Sequence, residues 1–242
     1  MRGSRRAVAR ATELAFLGRF TESLAALEDA LASEQSLWVR AYVASSRGEF
    51  VTAWALGQPL AESARSREVR VAAAITLASV LRQMSRHAAA KRWDRAALDE
   101  ARADTERAHA LIGLAADAIG RGRLPACEAR LAEAGALGLA GDWRVQVRLD
   151  WVRVERALTA GRPREGLAPG RRAVRRSREA DALRHLAKSR LFYGVALADA
   201  GFAAAATREL RAAQRVARAC GAGRVARVAR TVLEQKAMSA AG

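Results

Sequence analysis

A chain of 242 residues with a formal charge of +17, four prolines and two cysteines is bounded from several sides at once. Its longest uncharged apolar stretch, Val71 to Leu81, is far too short to span a membrane. Cys127 and Cys220 stand in no Cys-x-x-Cys pair and make no disulfide framework, and no alternating Val/Ile/Thr run or Asn-Gly turn signals a strand.

What remains is helix. Alanine, leucine, arginine and glutamate lose little rotamer freedom there. The first helix is expected from about Arg5 to Leu17, with Ala7, Ala11, Leu14 and Leu17 on one stripe. Gly18 breaks it, and Thr21 to Ala32 is the expected return. After a loop over Ser33 to Ser36, a second copy carries Trp38, Ala41 and Ala44, turns at Gly48, and returns over Thr52 to Arg65. Pro59 predicts a kink or an early end in that return, because proline removes a helix hydrogen bond. The third copy, Val69 to Ala103, turns at Ser85. The fourth, from Thr105 to about Leu137, turns at Gly122.

Gly135, Gly138 and Gly141 then make a glycine-spaced linker, where an array would bend. The fifth copy starts near Trp143 and turns at Gly161. Its second helix, over Arg164 to Arg178, is expected to start late or kink, because Gly166, Pro169 and Gly170 fall in its first half. The sixth runs from Leu183 to Ala219, turns at Gly201 and stops at Cys220-Gly221. A last helix from Gly223 to Lys236 would cap the series, with Met238 to Gly242 frayed.

The turns at 18, 48, 85, 122, 161 and 201 are spaced by 30, 37, 37, 39 and 40 residues. One helical hairpin per such period predicts an all-α solenoid: a single hairpin cannot bury its own apolar face, so neighbours stack. The expectation is one continuous array of six hairpins over residues 1–242, with a bend near 135–142.

The residues around these turns resemble the tetratricopeptide repeat family. Gly18, Phe20, Ser23, Leu27, Ala30 and Leu31 match its turn, aromatic, small, bulky and Ala-Leu positions in full. Gly48, Phe50 and Ala53 follow, then Ser85, His87, Ala90, Ala97 and Leu98. Gly122, Cys127, Leu131 and Ala134 continue the series, as do Gly201, Ala206, Leu210 and Ala213; Gly161, Gly166 and Ala173 match weakly. A small residue stands seven before each turn: Ala11, Ala41, Ala78, Ala115, Val154 and Gly194. The long spacings are similar to the helical-repeat sensor segments of large bacterial regulators.

The resemblance implies a right-handed solenoid that holds a peptide or partner helix in the concave face of its first helices. Counting back from each turn places Arg5, Trp38, Tyr42, Ile75, His109, Ile112, Arg148, Trp151 and Lys188 on that face. An apolar and aromatic groove edged by cations suits an acidic peptide with hydrophobic anchors. The family's clamp for a terminal carboxylate also needs asparagine, which this chain lacks entirely.

Charge offers a second partner class. Residues 1–150 carry a net charge of +4 and residues 151–242 one of +13. The dense run Arg171, Arg172, Arg175, Arg176 and Arg178 is an alternative surface for nucleic acid, sequence-independent and steeply salt-dependent. Arginine so outnumbers lysine, present only at 91, 188 and 236, that genome composition alone also accounts for the skew.

Nothing in the sequence points to catalysis, a cofactor or a metal. There is no phosphate loop, His-Glu-x-x-His or Gly-x-Ser-x-Gly, and His87, His109 and His185 are isolated. Asp94, Asp99 and Glu100 alternate with Arg92, Arg95 and Arg102, a pattern of solvated ion pairs. Basic Met1 to Arg6 is followed by no long apolar core, so a secretory leader is not expected. Lone cysteines then fit a reducing cytoplasm, as small buried hydrophobes.

Overall fold

The structure, a computed structural model, describes the backbone of residues 2–28 and 30–241 and the side chains of residues 3–28 and 30–236. Among the described residues every regular element is helical. The helices are α1 (Arg2–Leu17), α2 (Phe20–Ala25), α3 (Glu34–Arg47), α4 (Phe50–Ser63), α5 (Arg67–Gln83), α6 (His87–Glu100), α7 (Asp104–Ile119) and α8 (Leu124–Gly135). After them come α9 (Trp143–Thr159), a 3-10 turn over Pro163–Gly166, α10 (Leu167–Glu179), α11 (Leu183–Asp199), α12 (Ala203–Ala219) and α13 (Gly223–Ala241). None of the described helices is long and apolar enough to cross a membrane.

The chain divides into two compact units, Met1–Leu139 and Ala140–Gly242. The boundary falls inside the linker marked by Gly135, Gly138 and Gly141. In the first unit α1 packs on α2, and from α3 to α8 each helix packs on the next; α1, α3, α5 and α7 also pack in sequence on one another. In the second unit α9 to α13 pack in chain order, and α9, α11 and α13 form a second series of contacts.

All six expected turn residues adopt positive φ: Gly18 at 80°, Gly48 at 91°, Ser85 at 60°, Gly122 at 70°, Gly161 at 67° and Gly201 at 89°. Each turn closes in the same way. The amide that follows it donates across the turn to a carbonyl five residues back, as in Arg19 to Leu14, Glu49 to Ala44, Arg86 to Leu81 and Arg123 to Ala118. Arg162 to Ala157 and Phe202 to Leu197 complete the series, all at 2.8–2.9 Å. This bond satisfies a carbonyl that the helix end would leave open, and it requires one residue in the left-handed region. Ser85 meets that requirement despite its side chain.

The small residues seven before the turn are buried in every copy: Ala11, Ala41, Ala78, Ala115 and Val154 at 0% exposure, and Gly194 with them. Departures at the bulky position nine after the turn are filled from the neighbouring helix. At Gly57 a Cβ would stand 3.0 Å from Leu77 of α5, and at Gly170 it would stand 2.8 Å from Tyr193 of α11.

Three expectations change. The copy closest to the family pattern has the shortest return helix: α2 stops at Ala25, bonding passes to i→i−3 at Leu27 and Glu28, and Leu31 is 67% exposed. The Leu31 amide donates to Ser4 Oγ at 3.0 Å. Conversely α4 runs through Pro59 to Ser63. The fifth return does start late: the 3-10 turn precedes α10, and Pro169 then falls in the first turn of α10, where its missing N–H costs no helix bond. The helix over 223 onward reaches Ala241 rather than Lys236; the side chains of 237–242, where fraying was expected, lie outside the described residues.

Candidate functional site

The first helices of the hairpins show a repeating pattern of exposure. Thirteen residues before the turns stand Arg5, Gln35, Ala72 and His109 in the first unit, and Arg148 and Lys188 in the second. Arg5 is exposed and the others are partly exposed. Six before the turns, Thr12, Tyr42, Ser79 and Ala116, then Glu155 and Val195, are all partly exposed. The two rows lie one heptad apart on the same helix face. Between them, ten before the turns, the row is almost entirely buried. Val8, Trp38, Ile112, Trp151 and Leu191 are 2–9% exposed, and only Ile75 stays partly open.

Trp38, Ile112 and Trp151 are therefore floor, not surface, which corrects their place as groove contacts. Both indoles are ties between successive first helices. Trp38 Nε1 donates to Thr76 Oγ1 at 3.2 Å, and Trp151 Nε1 donates to Ser189 Oγ at 2.8 Å, each reaching 38 residues along the chain. Trp38 also packs in an aromatic group with Phe16 and Tyr42, at centroid distances of 6.0 Å to each. Trp151 stacks on His185 at 5.3 Å with the planes 17° apart, while Trp143 meets the same imidazole edge-on at 5.0 Å. Lys188 Nζ lies 4.4 Å from the centroid of the Trp151 ring, a cation–π contact.

His185 is 2% exposed, and its Nδ1 has no hydrogen-bond partner. Burial, and then the like charges of Arg184, Arg144, Arg148 and Lys188, push its pKa well below 6.5. It is neutral in the folded chain at physiological pH. Its isolation in sequence concealed this: the four cations come from α9 and α11, and the aromatic lid from residues 34 and 42 positions upstream.

Each unit also buries an ion cluster. In the first, Arg82 of α5 bonds Asp94 of α6, approaches Asp117 Oδ1 of α7 at 3.3 Å, and has His87 Nδ1 3.8 Å from that same carboxylate oxygen. Asp94 is fully buried, so it is not one of the solvated pairs its neighbours suggest; Arg95 and Asp99 form a surface pair, and Glu100 pairs with Arg70. Asp94 takes the bulky position nine after Ser85, and Gly113 makes room for it: a Cβ there would collide with the Asp94 carboxylate. Burial lifts the Asp117 carboxyl above the usual carboxylate value, against the pull of Arg82. Burial opposes the charge on Arg82, but Asp94 and Asp117 outweigh it and hold its pKa above the ordinary guanidinium value. Burial and then Arg82 lower His87.

In the second unit, Asp150 of α9 is fully buried beneath three arginines. Arg172 reaches Oδ1 at 2.8 Å, Arg176 reaches Oδ2 at 2.5 Å and Arg153 reaches Oδ1 at 3.2 Å. Arg172 and Arg176 are thus half-exposed and paired with Asp150. Arg171, Arg175 and Arg178 stay exposed, with Arg175 within 3.7 Å of Glu179. Cys127 and Cys220 are buried and are not joined in a disulfide. Among the described residues no group of three or more His, Cys, Asp or Glu side chains could hold a metal ion.

No protein-family model matches the chain, and no curated protein matches its sequence.

Proposed function

We propose that the chain is a non-catalytic interaction module, a tetratricopeptide-like α-solenoid whose first-helix faces bind a peptide or partner helix. The observation that carries this is the pair of half-open rows one heptad apart, with a buried row between them in each unit. A face that only packed against its own chain would be closed along these rows. The contact residues are then Arg5, Tyr42, Ile75 and His109 in the first unit, and Arg148 and Lys188 in the second. The cations suit an acidic partner. A role as scaffold, adaptor or sensor in bacterial regulation follows from the family resemblance.

The test is affinity capture from host lysate, with and without nuclease. A Tyr42→Ser, Ile75→Ser variant should lose the captured protein at unchanged helical content, and nuclease should not release it. If only an Arg171→Glu, Arg175→Glu, Arg178→Glu variant loses it, or nuclease releases it, the nucleic-acid reading replaces this one.

A further inference from the structure

Helix α6 separates its charges. From His87 to Leu98 its only acid is Asp94, and that side chain is buried, bonded inward to Arg82 of α5. Lys91, Arg92 and Arg95 are exposed. Asp99 and Glu100 come only at the far end, where Asp99 stands 3.7 Å from Arg95 and Glu100 lies 2.9 Å from Arg70. Cations three and four positions apart on a helix are neighbours and repel, so this edge is kept against the helix's own electrostatics.

A further cation joins them from the next hairpin. The ring of His87, the first residue of α6, occupies the space in which a Cβ at Gly120 would stand, so the end of α7 sits directly on the start of α6. Gly122 then turns the chain at a φ of 70°, and Arg121, just before it, shares a recess with the cationic edge of α6. That open recess has a volume of about 320 Å³ and is lined by Ala88, Lys91, Arg92, Arg95 and Arg121. Among the described residues its lining holds no acid and no aromatic ring, and no carboxylate lies within ion-pairing distance of Lys91, Arg92 or Arg121. Arg121 acts on buried Asp117 only from beyond that distance. Ala88 lies in the first turn of α6, which has no acidic residue and no side-chain cap, so the helix dipole adds positive potential at that end.

We propose that this recess binds the diphosphate group of a small molecule, as the free ion or as the end of a phosphate ester. Several cations with no acid among them call for a compact anion of high charge. A diphosphate brings two tetrahedral groups whose oxygens guanidinium forks match two at a time, while Lys91 supplies a point charge. A single phosphate fills only a fraction of the recess. The volume is near the lower end of the roughly 300–1,000 Å³ of ligand pockets, so the anion and its immediate ester occupy most of it. With no ring in the lining a base gains no stacking, and the charged end carries recognition. The site lies on α6 and the α7–α8 turn, apart from the first-helix faces, and does not depend on the groove reading.

The probes are inorganic pyrophosphate, ADP, inorganic phosphate and succinate, titrated calorimetrically into the full chain at constant low ionic strength without divalent cations. Pyrophosphate and ADP should each bind saturably and with comparable affinity. Phosphate and succinate should bind at least about tenfold more weakly, a factor that one charged hydrogen bond supplies. Arg92→Gln with Arg121→Gln should weaken pyrophosphate binding by about tenfold or more. Arg208→Gln with Arg211→Gln, both exposed on α12, removes the same charge and should leave it unchanged. Lys91→Gln with Arg95→Gln replaces the first pair if that variant loses helical content. The proposal is overturned by absence of saturable pyrophosphate binding, by succinate binding equally well, or by equal affinity in the site and control variants. Binding of ADP but not of pyrophosphate also overturns it, because the base would then carry recognition. Partner capture by wild-type protein that binds no pyrophosphate would sink this inference alone and leave the interaction module standing.

Discussion

The two units bury carboxylates by opposite means. In the first, one arginine, Arg82, serves two buried acids, Asp94 and Asp117, and its own side chain is only 13% exposed. In the second, one buried acid, Asp150, is served by Arg153, Arg172 and Arg176, which are 40%, 38% and 25% exposed. In the first cluster burial outweighs the pull of Arg82 on Asp117 and raises its carboxyl. The second is redundant, and its arginines keep access to water. A buried charge is costly when its partner is removed, and the cost falls when other partners or solvent can take over.

The largest effect should therefore come from Arg82→Met, which strands two buried carboxylates. A loss of roughly 3–5 kcal/mol is expected in chemical denaturation. Arg172→Gln, by contrast, removes one of three half-exposed partners and should cost less than about 1 kcal/mol. Equal losses in the two variants would break the comparison. Asp117→Asn sharpens it. That change removes the acid whose ionisation burial disfavours and leaves the Arg82–Asp94 pair, so it should fall within about 1 kcal/mol of wild type at neutral pH.

Next in size are the indole ties. Trp38→Phe and Trp151→Phe each lose a buried hydrogen bond and leave a hydroxyl behind. In the second unit Ser177 lies 3.1 Å from Ser189 and can satisfy it, whereas Thr76 retains its bond to the Ala72 carbonyl at 2.8 Å. Both substitutions should cost about 1–2 kcal/mol in thermal denaturation. A much larger loss for either would mean that the ring contacts dominate.

The smallest effect is on pH dependence. The folded pKa of His185 is depressed, so the unfolded chain binds the proton more readily below pH 6.5. Stability from neutral His185 is present above that value and declines as pH falls below it. Wild type should lose melting temperature between pH 7 and pH 5, and His185→Phe should lose less over the same range. His87 adds a contribution of the same sign in the first unit. An identical decline in wild type and His185→Phe would assign the acid sensitivity elsewhere.

The turns and the hairpin register were legible in the sequence because their causes are local. A left-handed residue, the carbonyl it satisfies and the small residue one helical face away all lie within about two turns of chain. That is why Gly18, Gly48, Gly161 and Gly201 could be placed without coordinates, and why even Ser85 fell into line. Side-chain fate was not legible for the same reason. Trp38 looked like a groove anchor until Thr76 met its N–H, and Arg172 and Arg176 looked like free basic surface until Asp150 appeared beneath them. Each of those partners is 22–38 residues away along the chain.

The Gly18 copy shows the limit from the other side. Its family-like Ala30 and Leu31 do not continue α2, and the Leu31 amide donates instead to a hydroxyl 27 residues away. Helix content, turn positions and the spacing of hairpins belonged to the sequence alone, being set by backbone conformation and nearest-neighbour bonding. Which aromatics became floor, which acids went inside and where the cations converge were decided only when helices from successive hairpins packed, since burial and pairing depend on neighbours that sequence distance does not reveal.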